Sequence, residues 1–219
     1  MNLLENLINL IFPPKCPLCQ KIQDAPGICA PCRASAPWVD PDTPPRLLSQ
    51  NRFPCTAPLY YRGPVRDSLL RLKFHGCASA AGPLGDELGR CVEEAGYSFD
   101  LVTWTPVSRR RLRRRGYDQA RLIAESACRR WNAKPVRLLQ KVRHNAAQSG
   151  LDSAARRAEN VKDVYRPAGD CAGKRILLID DICTTGSTLS ACAGTLLEAG
   201  AAEILCAVVA LTDFGGENG

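Results

Sequence analysis

Two adjacent carboxylates and a hydroxyl-rich turn near residue 180 are the side chains of this sequence best suited to ligand chemistry. Asp180 and Asp181 follow an apolar segment that ends at Ile179. The turn that comes next contains Thr184, Thr185, Gly186, Ser187 and Thr188. Its hydroxyls, its flexible glycine and the unpaired amides of a following helix would bind a monophosphate, because a helix N-terminus favours an anion.

The two carboxylates suit a different ligand group from the turn. Adjacent acids would repel a phosphate, whereas the vicinal hydroxyls of a sugar or a hydrated magnesium ion can be accepted by such a pair. Together with the phosphate turn, the pair therefore predicts a ribose 5-phosphate site. The structural alternative is that the acids end a strand and the turn caps a helix. That alternative explains either feature alone better than their combination.

Four cysteines near the N-terminus form a second candidate site. Cys16, Cys19, Cys29 and Cys32 make two CxxC pairs separated by nine residues. Two tight turns can then present four thiolates to one tetrahedral ion. We predict structural zinc, because a site with four protein ligands has no open position for chemistry. An iron–sulfur cluster, a pair of disulfides and a redox role for CxxC are the alternatives.

A block of arginines is the third feature. Six of the seven residues at 109–115 are arginine, in a chain with a net charge of +7. This block predicts a polyanionic ligand. Arg109, Arg113 and Arg115 would clamp a diphosphate, and the other arginines would face solvent or a nucleic-acid backbone. A solvated helix start is the alternative for any one of them.

A polar segment at 141–151 supplies the remaining candidates. It lacks a helical stripe, which predicts a mobile loop that closes over bound ligand. Within it, Arg143 and Gln148 are the preferred ligand contacts. His144 ranks below them, because transfer of phosphoribose depends mainly on electrostatic stabilisation of the leaving pyrophosphate.

The elements that would position these residues alternate along the chain. We predict strands at 59–62, 101–105, 175–179 and 204–211, and helices at 65–74, 84–95, 117–131, 153–160 and 188–199. This alternation indicates an α/β sheet with helices on its faces. Because α/β proteins bind ligands at the carboxyl ends of their strands, Asp180 and Asp181 fall at the ligand edge.

Composition and segment boundaries set the domain organisation. The chain has 219 residues, of which 45% are hydrophobic, enough for one buried domain and a small appendage. We place the boundary near residue 55. Residues 1–55 would hold an N-terminal amphipathic helix, the zinc-binding element and a proline-rich linker at 41–54, and residues 56–219 the larger domain.

The same composition argues against a membrane protein. No apolar run approaches the roughly 20 residues that a membrane-spanning helix needs. The first dozen residues have helical apolar spacing without a cationic start, which favours a surface helix over a signal peptide. We therefore expect a cytoplasmic protein.

The segment from Ile176 to Thr188 resembles the phosphoribosyl pyrophosphate motif of type I phosphoribosyltransferases. With the cysteine quartet, the run RGYDQA at 115–120 and the segment 143–160, nearly the whole chain is similar to the competence protein F family of ComF and GntX-like proteins. The resemblance implies a Rossmann-like type I phosphoribosyltransferase domain behind a zinc-ribbon-like element. It also implies a part in DNA uptake or in the use of external DNA.

Site roles follow from the resemblance. In the wider transferases the acidic pair contacts ribose hydroxyls, the next loop holds the 5-phosphate, and magnesium bridges the pyrophosphate. Asp180, Asp181 and residues 184–188 match these positions, and the loop after the strand at 101–105 matches the pyrophosphate loop. The expected ligand is phosphoribosyl pyrophosphate with magnesium, or another ribose 5-phosphate.

Two functions are consistent with these features. As a phosphoribosyltransferase, the protein would use Asp180, Asp181, Arg109 and Arg143 as catalytic residues, with an acceptor that the sequence does not identify. As a non-catalytic adaptor, it would keep the fold and use the arginine-rich segment to bind single-stranded DNA or a DNA-processing protein.

Overall fold

A mostly parallel sheet of six strands carries the candidate ligand edge. The structure is a computed structural model that describes residues 13–49, 52–142 and 164–212. Its strands are β1 (Arg46–Leu48), β2 (Phe53–Thr56), β3 (Leu59–Tyr60), β4 (Leu101–Trp104), β5 (Leu139–Lys141), β6 (Tyr165–Pro167), β7 (Arg175–Cys183) and β8 (Glu203–Leu211). Its α-helices are α1 (Ala30–Ser35), α2 (Gly63–Phe74), α3 (Ala81–Glu94), α4 (Arg109–Arg115), α5 (Gln119–Cys128) and α6 (Ser187–Glu198).

The sheet is built around β7 and β8. Its order is β1-β2-β8-β7-β4, and β3 also pairs with β8. All pairs are parallel except β1 with β2. β7 and β8 are continuous apolar runs, as expected for parallel strands covered on both faces. A separate antiparallel pair, β5 with β6, lies beside the sheet's α6 face and packs against α6.

Two apolar cores lie on the two faces of the sheet. One contains Leu177 and Ile179 of β7 with apolar side chains of α2, α3 and α5. The other contains Ile176 and Leu178 with apolar side chains of α6 and the β5–β6 pair. Successive residues of a strand point to opposite faces, which explains this division.

Helices α3 and α5 pack closely on the first face. A Cβ at Gly85 would lie 2.6 Å from the carbonyl oxygen of Ile123 and from Cβ of Ser126, so only glycine allows this approach. Ser126 Oγ also donates to the carbonyl oxygen of Gly82 over 2.6 Å. The pair forms a rigid support under β4 and β7.

The structure confirms the α/β class with helices on both faces of the sheet. It also adds short elements: β1 falls within the segment expected to be a linker, and α1 follows the second CxxC pair. The predicted N-terminal helix and the helix predicted at 153–160 lie outside the described residues. Within the described residues, no helix has the length and apolar character to span a bilayer.

Candidate functional site

Asp180 and Asp181 lie together in β7, but their side chains leave opposite faces of the sheet. By alternation, Asp180 shares the face of Ile176 and Leu178, and Asp181 shares that of Leu177 and Ile179. Both are buried, with exposed fractions of 6% and 3%. The backbone N–H of Asp181 donates to Oδ1 of Asp180 over 2.8 Å. The two acids therefore meet different surroundings.

Asp180 faces a buried polar cluster. Burial, followed by the charge of Asp181, raises the pKa of Asp180, although a hydrogen bond with the Thr105 side chain acts in the opposite direction. The charge of Lys141 also falls within range of Asp180, and burial lowers the pKa of Lys141. Lys141 Nζ donates to the hydroxyl of Tyr165 over 3.1 Å.

We predict that Asp180→Asn stabilises the protein at neutral pH. A pKa raised on folding means that ionised Asp180 destabilises the folded state above that pKa, and that the cost disappears as the pH falls towards the unfolded value. Urea unfolding at pH 7 should give the variant a free energy of unfolding on the order of 1 kcal/mol above that of wild type, and this difference should become smaller at acid pH. The exposed-acid control, Glu203→Gln, should show neither effect. A less stable Asp180→Asn protein at pH 7 would contradict this account.

Asp181 carries the acceptor that the fold leaves open. Its Oδ2 is buried and has no hydrogen-bond partner among the described residues. Nζ of Lys73, in the last turn of α2, lies 3.4 Å from this oxygen. The guanidinium of Arg115 is close enough for the charge of Asp181 to act on its pKa, which burial lowers. A buried carboxylate oxygen with an unfilled hydrogen-bond position suits a ligand hydroxyl.

The phosphate turn follows the end of β7. Thr184, Thr185, Ser187 and Thr188 are exposed, whereas Gly186 is buried. Gly186 is the N-cap of α6 with φ +77°, so it has no side chain to occupy the first amides of the helix. The hydroxyls of Thr185 and Ser187 hydrogen bond over 2.8 Å. The N–H of Ser187 donates to Oγ1 of Thr185 over a long 3.4 Å. Amides beside hydroxyls at a helix start form an anion-binding arrangement.

A second loop borders the site at the end of β4. The N–H of Thr105 donates to the carbonyl oxygen of Ile179 over 3.0 Å, which keeps the ends of β4 and β7 level. Asp118 braces the loop, because its Oδ2 accepts from the N–H of Val107 over 3.0 Å while its Oδ1 caps α5. Burial raises the pKa of Asp118. Position 118 thus serves the shape of this loop.

The arginine block forms α4, directly after this loop. Ser108 caps the helix, and its Oγ accepts from the N–H of Arg111. Arg109 through Arg114 are exposed, whereas Arg115 is partly buried and within electrostatic range of Asp181. Arg115 also donates to Gln119 and lies 5.7 Å over the ring of Phe74. Among the described residues, Arg115 is thus in electrostatic range of Asp181, and no hydrogen bond or ion pair joins Arg109 to either acid.

Arg143 and Gln148 lie outside the described residues. The ends of their segment are nevertheless fixed, because the N–H of Val142 donates to the carbonyl oxygen of Val164 over 2.9 Å. Both ends continue into β5 and β6, which carry Lys141 and Tyr165 beside Asp180. The proposed ligand roles of Arg143 and Gln148 stay predictions.

The four cysteines converge as a tetrahedral metal site requires. Their Sγ atoms all lie within 4.8 Å of one another, and those of Cys19 and Cys29 are 3.7 Å apart. Zinc with Zn–S bonds of about 2.3 Å would separate its sulfur ligands by about 3.8 Å. All twelve cysteines of the chain are free, so the structure does not support the alternative of two disulfides.

The protonation of the quartet also fits a cation. Burial raises the pKa of Cys16, but hydrogen bonds from the backbone N–H groups of Cys19, Cys29 and Leu18 outweigh it and bring the pKa to about 6. Burial and the neighbouring cysteines raise the pKa of Cys32. A metal ion removes this conflict, because it stabilises all four thiolates together.

Backbone hydrogen bonds shape the two CxxC turns. The N–H of Cys16 donates to the carbonyl oxygen of Lys21 over 2.9 Å, and Gln20 adopts φ +63° to close that turn. The second pair lies at the start of α1, where Cys29 is the N-cap. Arg33, beside Cys32, forms an ion pair with the buried Glu87 of α3. The quartet is thereby attached to the larger domain.

Three residues near the acids were not singled out in the sequence. Lys73 is an ordinary position in a predicted helix. Thr105 and Lys141 are only the first residues of the predicted pyrophosphate loop and of the predicted mobile loop. Each gains its place through long-range packing, which local periodicity does not encode.

Comparison with known proteins agrees with both halves of this description. Residues 113–216 match the family model of the phosphoribosyl transferase domain, and residues 7–45 match that of the double zinc ribbon domain. The model match and the sulfur geometry together identify the quartet as a structural zinc site.

Similar proteins carry names from DNA uptake and DNA use. Competence protein ComFC of Bacillus subtilis is 32% identical over 190 residues, covering 85% of this chain and 73% of the relative. DNA utilization protein YhgH of Escherichia coli O6:H1 is 34% identical over 109 residues, 48% of this chain and 46% of that relative, so this alignment spans about half of it. Glutamine phosphoribosylpyrophosphate amidotransferase from B. subtilis superposes with a TM-score of 0.43 at 25% identity, over 59% of this chain and 26% of that one.

Proposed function

The chain belongs to the competence protein F family, and from this premise we propose that it binds phosphoribosyl pyrophosphate with magnesium where β4 and β7 end, and acts in the uptake or use of external DNA. The fold and the relatives' names support the general assignment. We place its action in the cytoplasm, because free cysteines and a thiolate zinc site suit a reducing compartment.

The observation that carries the proposal is the open acceptor of Asp181. A buried polar atom without a hydrogen-bond partner is rare in a folded protein and requires an explanation. Asp181 Oδ2 accepts no hydrogen bond among the described residues, although it forms an ion pair with Lys73 over 3.4 Å. It belongs to the strand that leads into the phosphate turn. A ribose hydroxyl that donates to Asp181 while its 5-phosphate reaches the amides of Ser187 and Thr188 would satisfy both groups.

The proposed chemistry uses the basic loops on either side of the acids. Magnesium, when bound, would neutralise charge on the pyrophosphate. In the catalytic form of the proposal, an acceptor forms a bond to ribose C1 as the bond from C1 to the pyrophosphate oxygen breaks. Arg109 and Arg143 then stabilise the departing pyrophosphate, and the positive charge of Arg115 partly balances the negative charge of Asp181.

A binding function for nucleic acid is the second candidate. Arg109, Arg110, Arg111, Arg113 and Arg114 are all exposed on α4, which contains no acidic residue. Such a helix neutralises a phosphate backbone. Steeply salt-dependent binding of single-stranded DNA that persists without the two aspartates would favour this adaptor role.

Calorimetric titration with phosphoribosyl pyrophosphate and magnesium tests the main proposal. We expect the zinc-loaded wild type to bind, and Asp180→Asn/Asp181→Asn to weaken binding at least about tenfold, because the ribose hydroxyls lose their charged acceptors. The matched control is Asp40→Asn/Asp42→Asn, two exposed aspartates outside the site. Equal binding by the site variant would contradict the ribose assignment, and no binding by wild type would favour the DNA-binding role.

A further inference from the structure

We use the name zinc ribbon for the described residues 13–38, which carry the four cysteines. Helix α2 contacts this ribbon through Arg71. Nη2 of Arg71 donates to the carbonyl oxygens of Pro17 and Leu18, each over 2.9 Å. Both carbonyls lie between Cys16 and Cys19, inside the first CxxC turn. One guanidinium nitrogen can reach two successive carbonyls only while that turn is folded. Arg71 therefore ties the helix to the metal-bound shape of the ribbon.

Apolar packing fixes the same helix against the ribbon. Leu18 and Ile28 of the ribbon belong to the core that also contains Leu69 and Leu72 of α2. Leu69 and Leu72 are fully buried. The last turn of α2 has a further anchor, because the hydroxyl of Tyr117 donates to the carbonyl oxygen of Leu72. These contacts leave α2 little freedom to shift while the ribbon is folded.

The opposite side of α2 reaches the acid pair. Each residue of an α-helix is rotated by about 100° from the one before it, so residues two apart point to nearly opposite sides of the helix. Arg71 points to the ribbon, so Lys73 points away from it, and its Nζ lies 3.4 Å from Oδ2 of Asp181. With 28% of its side chain exposed, Lys73 also remains open to a ligand. The helix thus lies between the ribbon and the site.

We propose that Lys73 binds the ribose-phosphate ligand beside Asp181, and that the zinc ribbon holds Lys73 in place through Arg71. This inference rests on the proposed function and adds a residue and a support to the same site. Lys73 neutralises Asp181 in the free protein. In the complex Asp181 accepts a ribose hydroxyl, and the ammonium of Lys73 turns to the anionic oxygens of the ligand. Arg71 is a positioning residue that acts through Lys73.

A double-mutant cycle tests this arrangement. Calorimetry with phosphoribosyl pyrophosphate and magnesium would compare wild type, Lys73→Met, Arg71→Met and the double variant. We expect Lys73→Met to weaken binding about tenfold, as for a lost charged contact. Arg71→Met should weaken it roughly two- to tenfold. In the Lys73→Met background, Arg71→Met should add nothing, since the residue through which it acts is already gone.

The control for the helix is Arg66→Met. Arg66 is an exposed arginine of the same helix, its nearest acid is the neighbouring Asp67, and its removal should leave the affinity unchanged. Measured zinc content shows whether each variant keeps its metal. An unchanged affinity of Lys73→Met, or an effect of Arg71→Met that is equally large in both backgrounds, overturns the inference while the proposed function stands. Absence of binding by wild type overturns both.

Discussion

Replacement of Gly186 by valine should lower the affinity for ribose 5-phosphate by about a hundredfold or more. Gly186 has φ +77°, and a Cβ there would lie 2.7 Å from Cδ2 of Leu48. The left-handed backbone costs an L-residue roughly 1–2 kcal/mol and a β-branched one more. Relief of the clash adds a cost of about 1–3 kcal/mol. The Leu48 side chain can shift to relieve the clash, but the backbone strain stays and favours a changed path for the turn.

The position of this turn decides the effect on binding. Gly186 is the N-cap of α6, and its carbonyl accepts the first helical bond, from the N–H of Ser190 over 2.8 Å. A changed backbone at Gly186 redirects the amides of Ser187 and Thr188, which are the proposed phosphate donors. A phosphate held by several aligned donors loses most of them in one step. The strand and the acids before the turn should keep their structure.

Another glycine of the same helix provides the control. Gly194 has no atom within 4 Å of an added Cβ, so Gly194→Ala should stabilise α6 by up to about 1 kcal/mol without changing the affinity. Gly186→Ala with Leu48→Ala removes the clash and keeps the backbone strain, which separates the two causes. Calorimetry with ribose 5-phosphate and urea unfolding give the two readouts. If Gly186→Val binds ribose 5-phosphate with wild-type affinity, this turn does not bind the phosphate.

The sequence predicts the strand and helix on either side of the proposed phosphate turn well, because their signals are local. An apolar run, two acids and a hydroxyl-rich turn follow each other without a gap, and β7 and α6 form there. The strand continues to Cys183, beyond the predicted end at 179, since paired backbone and not polarity decides where it stops. As a result the acids lie within the strand and alternate between its faces. Adjacency along the chain therefore does not give the two acids the same surroundings.

The residues around Asp181 show what local patterns omit. Lys73 comes from α2, more than a hundred residues earlier in the sequence, and reaches Asp181 only because α2 packs on the same face of the sheet. β1, β5 and β6 have three residues each, too few to show a period of two. The cysteine quartet was predictable in full, because the ligands of a small zinc site must come from closely spaced turns.

Cys16→Ser should remove zinc and unfold the ribbon while the α/β domain stays folded. The described ribbon contributes only Cys16, Leu18 and Ile28 as buried apolar residues, so metal binding and not apolar burial must hold it. In small zinc fingers the binding of zinc contributes about 10–16 kcal/mol to folding, so loss of the ion removes the main contribution to the stability of the ribbon. The core on the α6 face contains no ribbon residue and should persist. We expect the midpoint of thermal unfolding to fall by roughly 10 °C or more.

Cys77→Ser is the matched control, because Cys77 is a partly exposed cysteine outside the quartet whose thiol lies 3.8 Å from the carbonyl oxygen of His75. Wild type and this control should each hold zinc, and Cys16→Ser should hold none. Limited proteolysis should then cut Cys16→Ser within residues 13–38 and leave the remaining domain intact. A zinc-free Cys16→Ser protein with an uncut ribbon would show that contacts with the larger domain, and not zinc, hold the ribbon. Docking through Arg71 and Arg33 would then be strong enough to keep a metal-free ribbon folded.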